Sequence, residues 1–350
     1  MVTVGLFTNK KSGKNKLDFK RYGDNLRIKK LKKIIKDKGQ VYETGASKDY
    51  MADLEDKIKQ VCKDEPDIIA IDGGDGSIST VLTMLDKFWN YDGIPPVAII
   101  EGGTFNVLAK EMDIKKPFKY LENIIATDDA DELTTKGINM MRVKDNLGHD
   151  QLSFSAAIGF PIDILEEFYK KKHLKYFRVG LMAIRTLGSA IVDGSYYKKF
   201  DNKQKIKVTT KGNSGKIITL EDEWLGLMAQ STKSFGMPQS LSKLFQPRTF
   251  RNAETEGRFH AVGMTIDFRK FLQYLPSILI GDSTTYTDWE GRQERRVLEL
   301  DKQLSELTLE SENPIKYQFN GELSFGTEPC LANEIYITAD KHRKFIQDDF

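Results

Sequence analysis

Short apolar runs alternate with segments of helical periodicity along the first part of the chain. Residues 4–7, 67–71 and 97–100 are apolar runs of strand length, and residues 40–44 have the composition of a further short strand. Between these runs, apolar side chains recur every three or four positions, as in amphipathic helices that pack on a sheet. The alternation predicts an α/β domain in which helices cover a parallel sheet.

The pattern changes near Gly137, after which most apolar runs have the length and alternation of strands. One long helical segment, over residues 162–191, interrupts them. We therefore predict two domains, with the parallel sheet in residues 1–137 and a mainly β fold in residues 138–350. The strands expected in the second domain cover residues 138–143, 151–157, 205–210, 216–220 and 258–268.

Composition and charge narrow the class of function. The 350 residues include 53 basic and 51 acidic side chains, and a net charge of +2 gives no global field that would favour nucleic acid. Cys62 and Cys330 lack metal-ligand spacing and are too few for a disulfide framework, which suggests the reducing cytoplasm. A predicted strand begins directly at the N-terminus, so we expect no signal peptide. The longest apolar run, residues 275–280, is too short to span a bilayer.

A glycine-rich turn provides the strongest candidate for chemistry. Residues 72–77 (DGGDGS) lead from a buried strand into a helix. Glycine lets the backbone approach a ligand closely, and the N–H groups of a helix's first turn favour phosphate. Asp75 is the charged group inside this turn, where a carboxylate can organise Mg²⁺ or accept a proton. An ordinary tight turn is the alternative. The residues expected to contact phosphate here are Gly73, Gly74, Asp75, Gly76 and Ser77.

Two further turns follow predicted strands. Residues 101–106 (EGGTFN) place paired glycines and Thr104 before a helix, and Thr104 can cap that helix or bind a phosphate. Residues 9–14 (NKKSGK) superficially resemble a P-loop, but the spacing G-x-x-x-x-G-K-[ST] is absent. Ligands of open α/β sheets bind beyond the carboxyl ends of the strands, so we expect one shared polyphosphate cradle. Its other members are Asn9, Ser12, Lys14, Gly103, Thr104 and Asn106.

In this order and spacing the three turns resemble the catalytic domain of the diacylglycerol kinase and sphingosine/ceramide kinase superfamily. That family has an N-P-x-S-G-type first turn, a G-G-D-G-[TS] loop and a G-T-x-N turn. The middle motif matches fully, whereas Lys10 stands where the family usually has proline. Residues 155–160 (SAAIGF) and 318–322 (QFNGE) resemble later family motifs, the second a D-G-E. The resemblance implies a phosphofructokinase-like α/β domain, a mainly β domain, and a lipid kinase that uses ATP and Mg²⁺.

The resemblance also implies roles for individual residues. Glu322 would be the general base that deprotonates a lipid hydroxyl as it attacks the γ-phosphate, alongside Asp75 as the second catalytic carboxylate and a metal ligand. Asn320 replaces the usual aspartate and cannot take up a proton, and an Asn-Gly hairpin is the structural alternative there. Glu256 stands where some members hold a structural Mg²⁺ through aspartate. Thr44 corresponds to a threonine near the nucleotide.

A lipid substrate requires access to a membrane surface. Residues 168–178 mix aromatic side chains with lysines, as in segments that lie among lipid headgroups, although a core helix with a basic outer face fits equally well. The expected partner is therefore a diacylglycerol, ceramide or sphingoid lipid at the membrane surface, reached from the cytoplasm by peripheral contact on the inner face. No nucleic acid is expected as a partner, and the sequence leaves open whether the protein forms a homodimer.

Two other functions also fit the sequence. NAD kinases share the G-G-D-G-[TS] loop, so a kinase of that type with a soluble substrate is one alternative. Asn320 and the altered first turn fit a second alternative, in which the protein is a homologue that binds lipid or nucleotide without catalysis.

Overall fold

A computed structural model describes residues 2–15, 17, 25–45, 47, 49–90, 93–103, 106–169, 196–212, 215–232, 258–272, 287–288, 298–319 and 329–348. The chain divides into two compact units. The first contains Met1–Ile138 and Lys341–Phe350, and the second contains Asn139–Lys233 and Pro238–Asp340.

The first unit contains a parallel sheet with strand order β2-β1-β3-β4, which confirms the predicted α/β architecture. The end of a later strand extends it, since Phe345 lies opposite Val97 of β4. All six residues of β3 are buried, because helices cover both faces of such a sheet. These strands are β1 (Val4–Asn9), β2 (Gly39–Thr44), β3 (Ile68–Gly73) and β4 (Val97–Glu101).

Capping side chains mark where several helices of this unit begin. The Asn25 side chain accepts a hydrogen bond from the Ile28 amide, and the Asp49 side chain accepts one from the Ala52 amide. Pro117 occupies the first turn of its helix, where the missing N–H costs nothing. The helices are α1 (Leu26–Ile35), α2 (Tyr50–Asp64), α3 (Asp75–Phe88), α4 (Val107–Glu111) and α5 (Pro117–Ala126), with 3-10 turns at Lys36–Lys38 and Ala130–Glu132.

The second unit is rich in strands, as predicted. Within it β7 pairs with β10 and β13, β10 pairs with β11, and β11 pairs with β13, all antiparallel. The strands in chain order are β5 (Thr135–Asp145), β6 (Asp150–Ser153), β7 (Ser155–Gly159), β8 (Gln204–Gly212), β9 (Ile217–Trp224), β10 (Gly226–Gln230), β11 (Phe259–Met264), β12 (Thr287–Asp288), β13 (Leu298–Phe319) and β14 (Cys330–Ile346), of which β5 and β14 cross the unit boundary.

Some boundaries in this unit differ from the sequence prediction. Residues 151–157, expected to be one strand, form parts of β6 and β7, which are separated at Phe154. The helix expected from residue 162 begins at Phe160 as α6 (Phe160–Tyr169), and residues 170–191 lie outside the described part of the chain. A 3-10 turn, Tyr197–Phe200, precedes β8.

The hydrophobic core of the second unit is formed by side chains from its strands and includes the buried side chain of Trp224. Its indole Nε1 donates to the Ile206 carbonyl at 2.9 Å, so the buried polar atom is satisfied. A Cβ at Gly263 would lie 2.1 Å from the Trp224 ring, and only glycine fits beside it. Among the residues that the structure describes, no helix is both long and apolar enough to cross a membrane.

The β5–β6 turn contains a buried carboxylate with an expected pH signature. Asp145 accepts hydrogen bonds from the Tyr317 hydroxyl at 2.6 Å and from the Leu147 amide at 2.9 Å, and its Oδ2 lies 2.6 Å from His149 Nδ1. Burial alone would raise the pKa of Asp145, but the hydrogen bonds from Tyr317 and His149 outweigh burial and lower it. A lowered pKa stabilises the fold above the unfolded-state pKa, and that contribution is lost as the pH falls through the folded-state pKa.

We expect Asp145→Asn to lower the free energy of unfolding at pH 7 by about 1.5–3 kcal/mol, because hydrogen bonds to a charged group are lost. The difference between the variant and the wild type should shrink as the pH falls below about 4, where the free carboxyl group protonates. Urea unfolding followed by tryptophan fluorescence at a series of pH values measures this. A difference that stays constant down to pH 3 would contradict the assignment.

Candidate functional site

Three turns lie together at the carboxyl edge of the parallel sheet in the first unit. The Asn9 Nδ2 donates to Ser77 Oγ at 2.9 Å, which joins the turn after β1 to the turn after β3. The Gly102 amide donates to the Gly73 carbonyl at 2.9 Å, which joins the turns after β3 and β4. The Lys14 amide donates to the Gly102 carbonyl at 2.9 Å, which joins the first and third turns. The common edge that the sequence predicts for these turns is therefore present.

The glycine turns are in van der Waals contact through their backbones. A Cβ at Gly103 would lie 2.4 Å from the Gly74 Cα, and a Cβ at Gly73 would lie 2.5 Å from the Ser77 Cβ. A larger residue at Gly103 would push the second and third turns apart, and one at Gly73 would distort the second turn itself. The first turn of α3 follows at Gly76 and Ser77, and its amides lack intrahelical partners, as at every helix start. The result is a backbone surface of the kind that accommodates anions.

Asp75 is the first residue of α3 and is buried. Its Oδ2 accepts from the Val107 amide at 3.1 Å, and its Oδ1 lies 3.4 Å from the Leu108 amide. The carboxylate therefore caps the first turn of α4. Each carboxylate oxygen has two lone pairs, so a carboxylate can accept from a helix start and also contact a metal ion.

Glu101 and Asn106 organise the third turn. Asn106 adopts a left-handed conformation with φ of 51°, and its Oδ1 accepts from the Gly103 amide at 2.8 Å. Its Nδ2 donates to Glu101 Oε1 at 2.7 Å, while the Lys14 Nζ lies 2.7 Å from Glu101 Oε2. Burial alone would raise the pKa of Glu101. The hydrogen bond and positive charge of Lys14, together with the hydrogen bond from Asn106, nevertheless hold this pKa below its usual range. Lys14 is therefore paired with Glu101 in this structure.

The first turn contains a buried hydroxyl with unused capacity. Ser12 is 8% exposed, and its Oγ has no hydrogen-bond partner among the described residues. The Asn9 Oδ1 accepts from the Lys11 amide at 2.9 Å, which fixes the turn. Thr44 ends β2 beside Asn9 and is buried, and its Oγ1 donates to the Thr8 carbonyl at 3.3 Å. Thr44 thus lies at the same edge of the sheet as the three turns, and its hydroxyl is hydrogen-bonded to the backbone.

The candidates that the structure describes therefore lie in one region of the first unit. Thr104, Glu256 and Glu322 lie outside the described residues, as do Asn320 and the lysine-rich part of the predicted membrane segment. Across the part of the chain that the structure describes, no group of three or more His, Cys, Asp or Glu side chains could hold a metal ion. Mg²⁺ commonly uses one or two carboxylates together with substrate phosphates, so a single Asp75 fits that ion.

Three residues of this region were missed by the sequence reasoning. Asp72, Arg27 and Asn15 are buried beneath the turns and hydrogen-bonded to one another through Asp72. A carboxylate at the end of a fully apolar strand was one available signal, because a buried charge requires a partner. The single arginine among the lysines of α1 was another.

Both the sequence and the fold of this chain are similar to those of known proteins. Residues 3–142 match the diacylglycerol kinase catalytic domain. The fold is similar to that of a diacylglycerol kinase from Bacillus anthracis str. Sterne, with 15% identity and a TM-score of 0.58 over 99% of this chain and 97% of that one. It is also similar to a candidate diacylglycerol kinase of the same organism, with 16% identity and a TM-score of 0.60 over the same shares. No curated protein sequence matches the chain.

Proposed function

We propose that this chain is an ATP-dependent lipid kinase that transfers the γ-phosphate to a lipid hydroxyl, because its residues 3–142 match the diacylglycerol kinase catalytic domain. The observation that carries the proposal is the convergence of three glycine-containing or hydroxyl-containing turns at one sheet edge. Phosphoryl transfer is catalysed mainly by positioning and by neutralising charge, and such a cradle supplies both.

In this proposal the polyphosphate of ATP binds along the three turns. The Ser12 Oγ, which has no partner in the described part of the chain, would offer a donor, and the first-turn amides of α3 at Gly76 and Ser77 would offer more. Gly73, Gly74 and Gly103 keep the surface free of side chains. Asn9, Thr44 and Asn106 would shape the rim, with Lys14 as the mobile cation, and Thr104 is proposed from the sequence as a further phosphate contact. Exchange of Lys14 from Glu101 to a phosphate would keep the ammonium group paired and would leave Glu101 with its hydrogen bond from Asn106.

Asp75 is the residue that would hold Mg²⁺, and Mg²⁺ when bound neutralises charge on the phosphate oxygens. Asp75 keeps its position because two backbone amides of α4 fix its carboxylate. Glu256 is a second, separate proposal for a metal ligand and is drawn from the family resemblance alone.

Glu322 is proposed as the general base. It would take the proton from the lipid hydroxyl as that oxygen bonds to the γ-phosphorus, while the bond from phosphorus to the β–γ bridging oxygen breaks and ADP leaves. Asn320 would not share the proton, because an amide is not basic at neutral pH. The acceptor would be a diacylglycerol, ceramide or sphingoid lipid, reached by peripheral contact through residues 168–178.

Incubation of the protein with labelled ATP, Mg²⁺ and a total lipid extract tests the proposal, with product identification by mass spectrometry. A labelled lipid that disappears when Mg²⁺ is chelated is the expected result. A parallel reaction with NAD in place of lipid tests for NADP, which would instead indicate a soluble-substrate kinase. Thermal stabilisation by Mg-ATP without transfer to lipid or NAD would indicate a binding protein that lacks catalysis.

A further inference from the structure

A buried ion pair lies beneath the three turns and has no part in the chemistry proposed above. Asp72 is 0% exposed and Arg27 is 8% exposed. Arg27 reaches Asp72 Oδ1 with Nε at 2.9 Å and with Nη2 at 2.8 Å. Removing two charges from water is costly and is recovered only when the remaining lone pairs and protons are also satisfied. The neighbours of this pair meet that requirement.

The second carboxylate oxygen of Asp72 connects to the first turn. The Thr8 Oγ1 donates to Asp72 Oδ2 at 2.7 Å, and the Asn15 Nδ2 donates to the same oxygen at 2.8 Å. Asn15 Nδ2 also lies 2.9 Å from the Asn9 carbonyl. Thr8 and Asn9 are the last residues of β1, while Asp72 immediately precedes the glycines of the second turn. One carboxylate therefore joins the first and second turns.

Arg27 extends the connection to the third turn. Its Nη2 donates to the Glu101 carbonyl at 2.8 Å, and Glu101 is the last residue of β4. A Cβ at Gly102 would lie 3.1 Å from Asp72 Oδ1, so the third turn packs directly on the same carboxylate. The Phe118 ring lies 5.0 Å from the Arg27 Cζ and supports the guanidinium from α5. All three turns are thus tied to one buried pair.

We propose that Arg27 and Asp72 are positioning residues that set the distances among the three turns and hence the shape of the polyphosphate cradle. The inference rests on the proposed function in taking these turns as the nucleotide site. Lysine cannot replace Arg27, because one ammonium group cannot reproduce the planar set of donors that reaches both Asp72 and Glu101. Arg27 touches no reacting atom in this arrangement, so its effect on the reaction is indirect.

Arg27→Lys compared with Arg343→Lys tests the positioning role. Arg343 is also 8% exposed and pairs with Asp86 within the same unit, and Asp86 lies ten residues beyond Gly76, about 15 Å along α3. Both variants weaken a mostly buried arginine–aspartate pair, but only one of the pairs touches the turns. Comparing them separates positioning from a general loss of stability, provided that both are studied well below their melting temperatures.

The first readout is amide hydrogen exchange in the ligand-free protein. Arg27→Lys should raise exchange at residues 73–77 and 102–103 by about tenfold, whereas Arg343→Lys leaves these segments near the wild-type rate. The second is the binding of Mg-ATP without lipid, where Arg27→Lys should weaken the affinity by about tenfold. In the complete reaction with lipid, the same variant should lower kcat/KM by about 100-fold. Arg343→Lys should change either value by less than about twofold, because distant sites act independently.

Equal effects of the two variants on exchange at the turns would overturn the inference, as would unchanged exchange in Arg27→Lys. If Arg27→Lys does not fold, Thr8→Val removes one hydrogen bond to Asp72 and should raise exchange at residues 73–77 in the same direction. Absence of lipid phosphorylation by the wild type would refute the proposed function alone, because exchange in the ligand-free protein still decides the positioning role.

Discussion

Asp75→Asn is expected to lower kcat/KM for ATP-dependent lipid phosphorylation by about 100-fold or more, while costing less stability than removal of the whole side chain. The expectation follows from two roles of one carboxylate. Asp75 caps α4 through the amides of Val107 and Leu108, and we propose that it also holds Mg²⁺. Asparagine can keep one of these two hydrogen bonds through its single oxygen, but it lacks the second acceptor and the negative charge that attracts Mg²⁺.

Asp75→Ala is the matched comparison, because it removes both roles. Loss of a cap of this kind costs about 0.5–2 kcal/mol, so Asp75→Ala should unfold at lower urea concentration than Asp75→Asn. The two variants should nevertheless be similarly inactive. Titration with Mg²⁺ adds a third measurement, since the residual activity of Asp75→Asn should require a higher Mg²⁺ concentration. If Asp75→Asn retained wild-type activity and Mg²⁺ dependence, Asp75 would be a capping residue without a metal role.

The parallel sheet of the first unit could be predicted because its strands leave a simple sequence pattern. Strands covered on both faces read as unbroken apolar runs, and residues 68–71 are such a run. The meeting of the three turns followed from the same geometry, since carboxyl ends of parallel strands lie at one edge. The glycine pattern then indicated which parts of the turns approach each other closely.

The network beneath the turns could not be predicted in the same way. Arg27 and Asp72 are 45 residues apart, and the hydrogen bonds that join them depend on how α1 packs against the sheet. Local periodicity indicates that one face of α1 is buried but does not identify the partner of a polar residue on that face. The capping role of Asp75 is likewise a contact across 32 residues, and its local signal was indistinguishable from that of a metal ligand.

The second unit shows a different limit. β13 runs over 22 residues, but its register with β14 shifts between Glu310 and Ile315. A shift of this kind breaks the alternation of buried and exposed positions that identifies a strand. At the β6–β7 junction, the Ser231 amide donates to the Phe154 carbonyl at 3.0 Å. Ser231 immediately follows β10 and is far from Phe154 in the sequence, so no local pattern marks the break.

Glu322→Gln is expected to lower kcat for lipid phosphorylation by about 100- to 10,000-fold, the range typical for loss of a general base. Glutamine has nearly the same shape as glutamate but cannot accept the proton of the lipid hydroxyl at neutral pH. Because the proposed nucleotide site lies in residues of the first unit, the affinity for Mg-ATP should stay close to that of the wild type. Steady-state kinetics with a short-chain lipid, together with calorimetric binding of Mg-ATP, measure both quantities.

Glu312→Gln is a suitable control for this experiment, since Glu312 is an exposed residue of β13 and has no proposed role in the reaction. It makes the same chemical change ten positions earlier in the chain and should leave kcat unaltered. Equal activity of Glu322→Gln and the wild type would show that Glu322 is not the general base. Asp75 would then be the remaining candidate for proton acceptance, and Asp75→Asn should abolish turnover even at saturating Mg²⁺, whereas a purely metal-binding Asp75 allows partial recovery there.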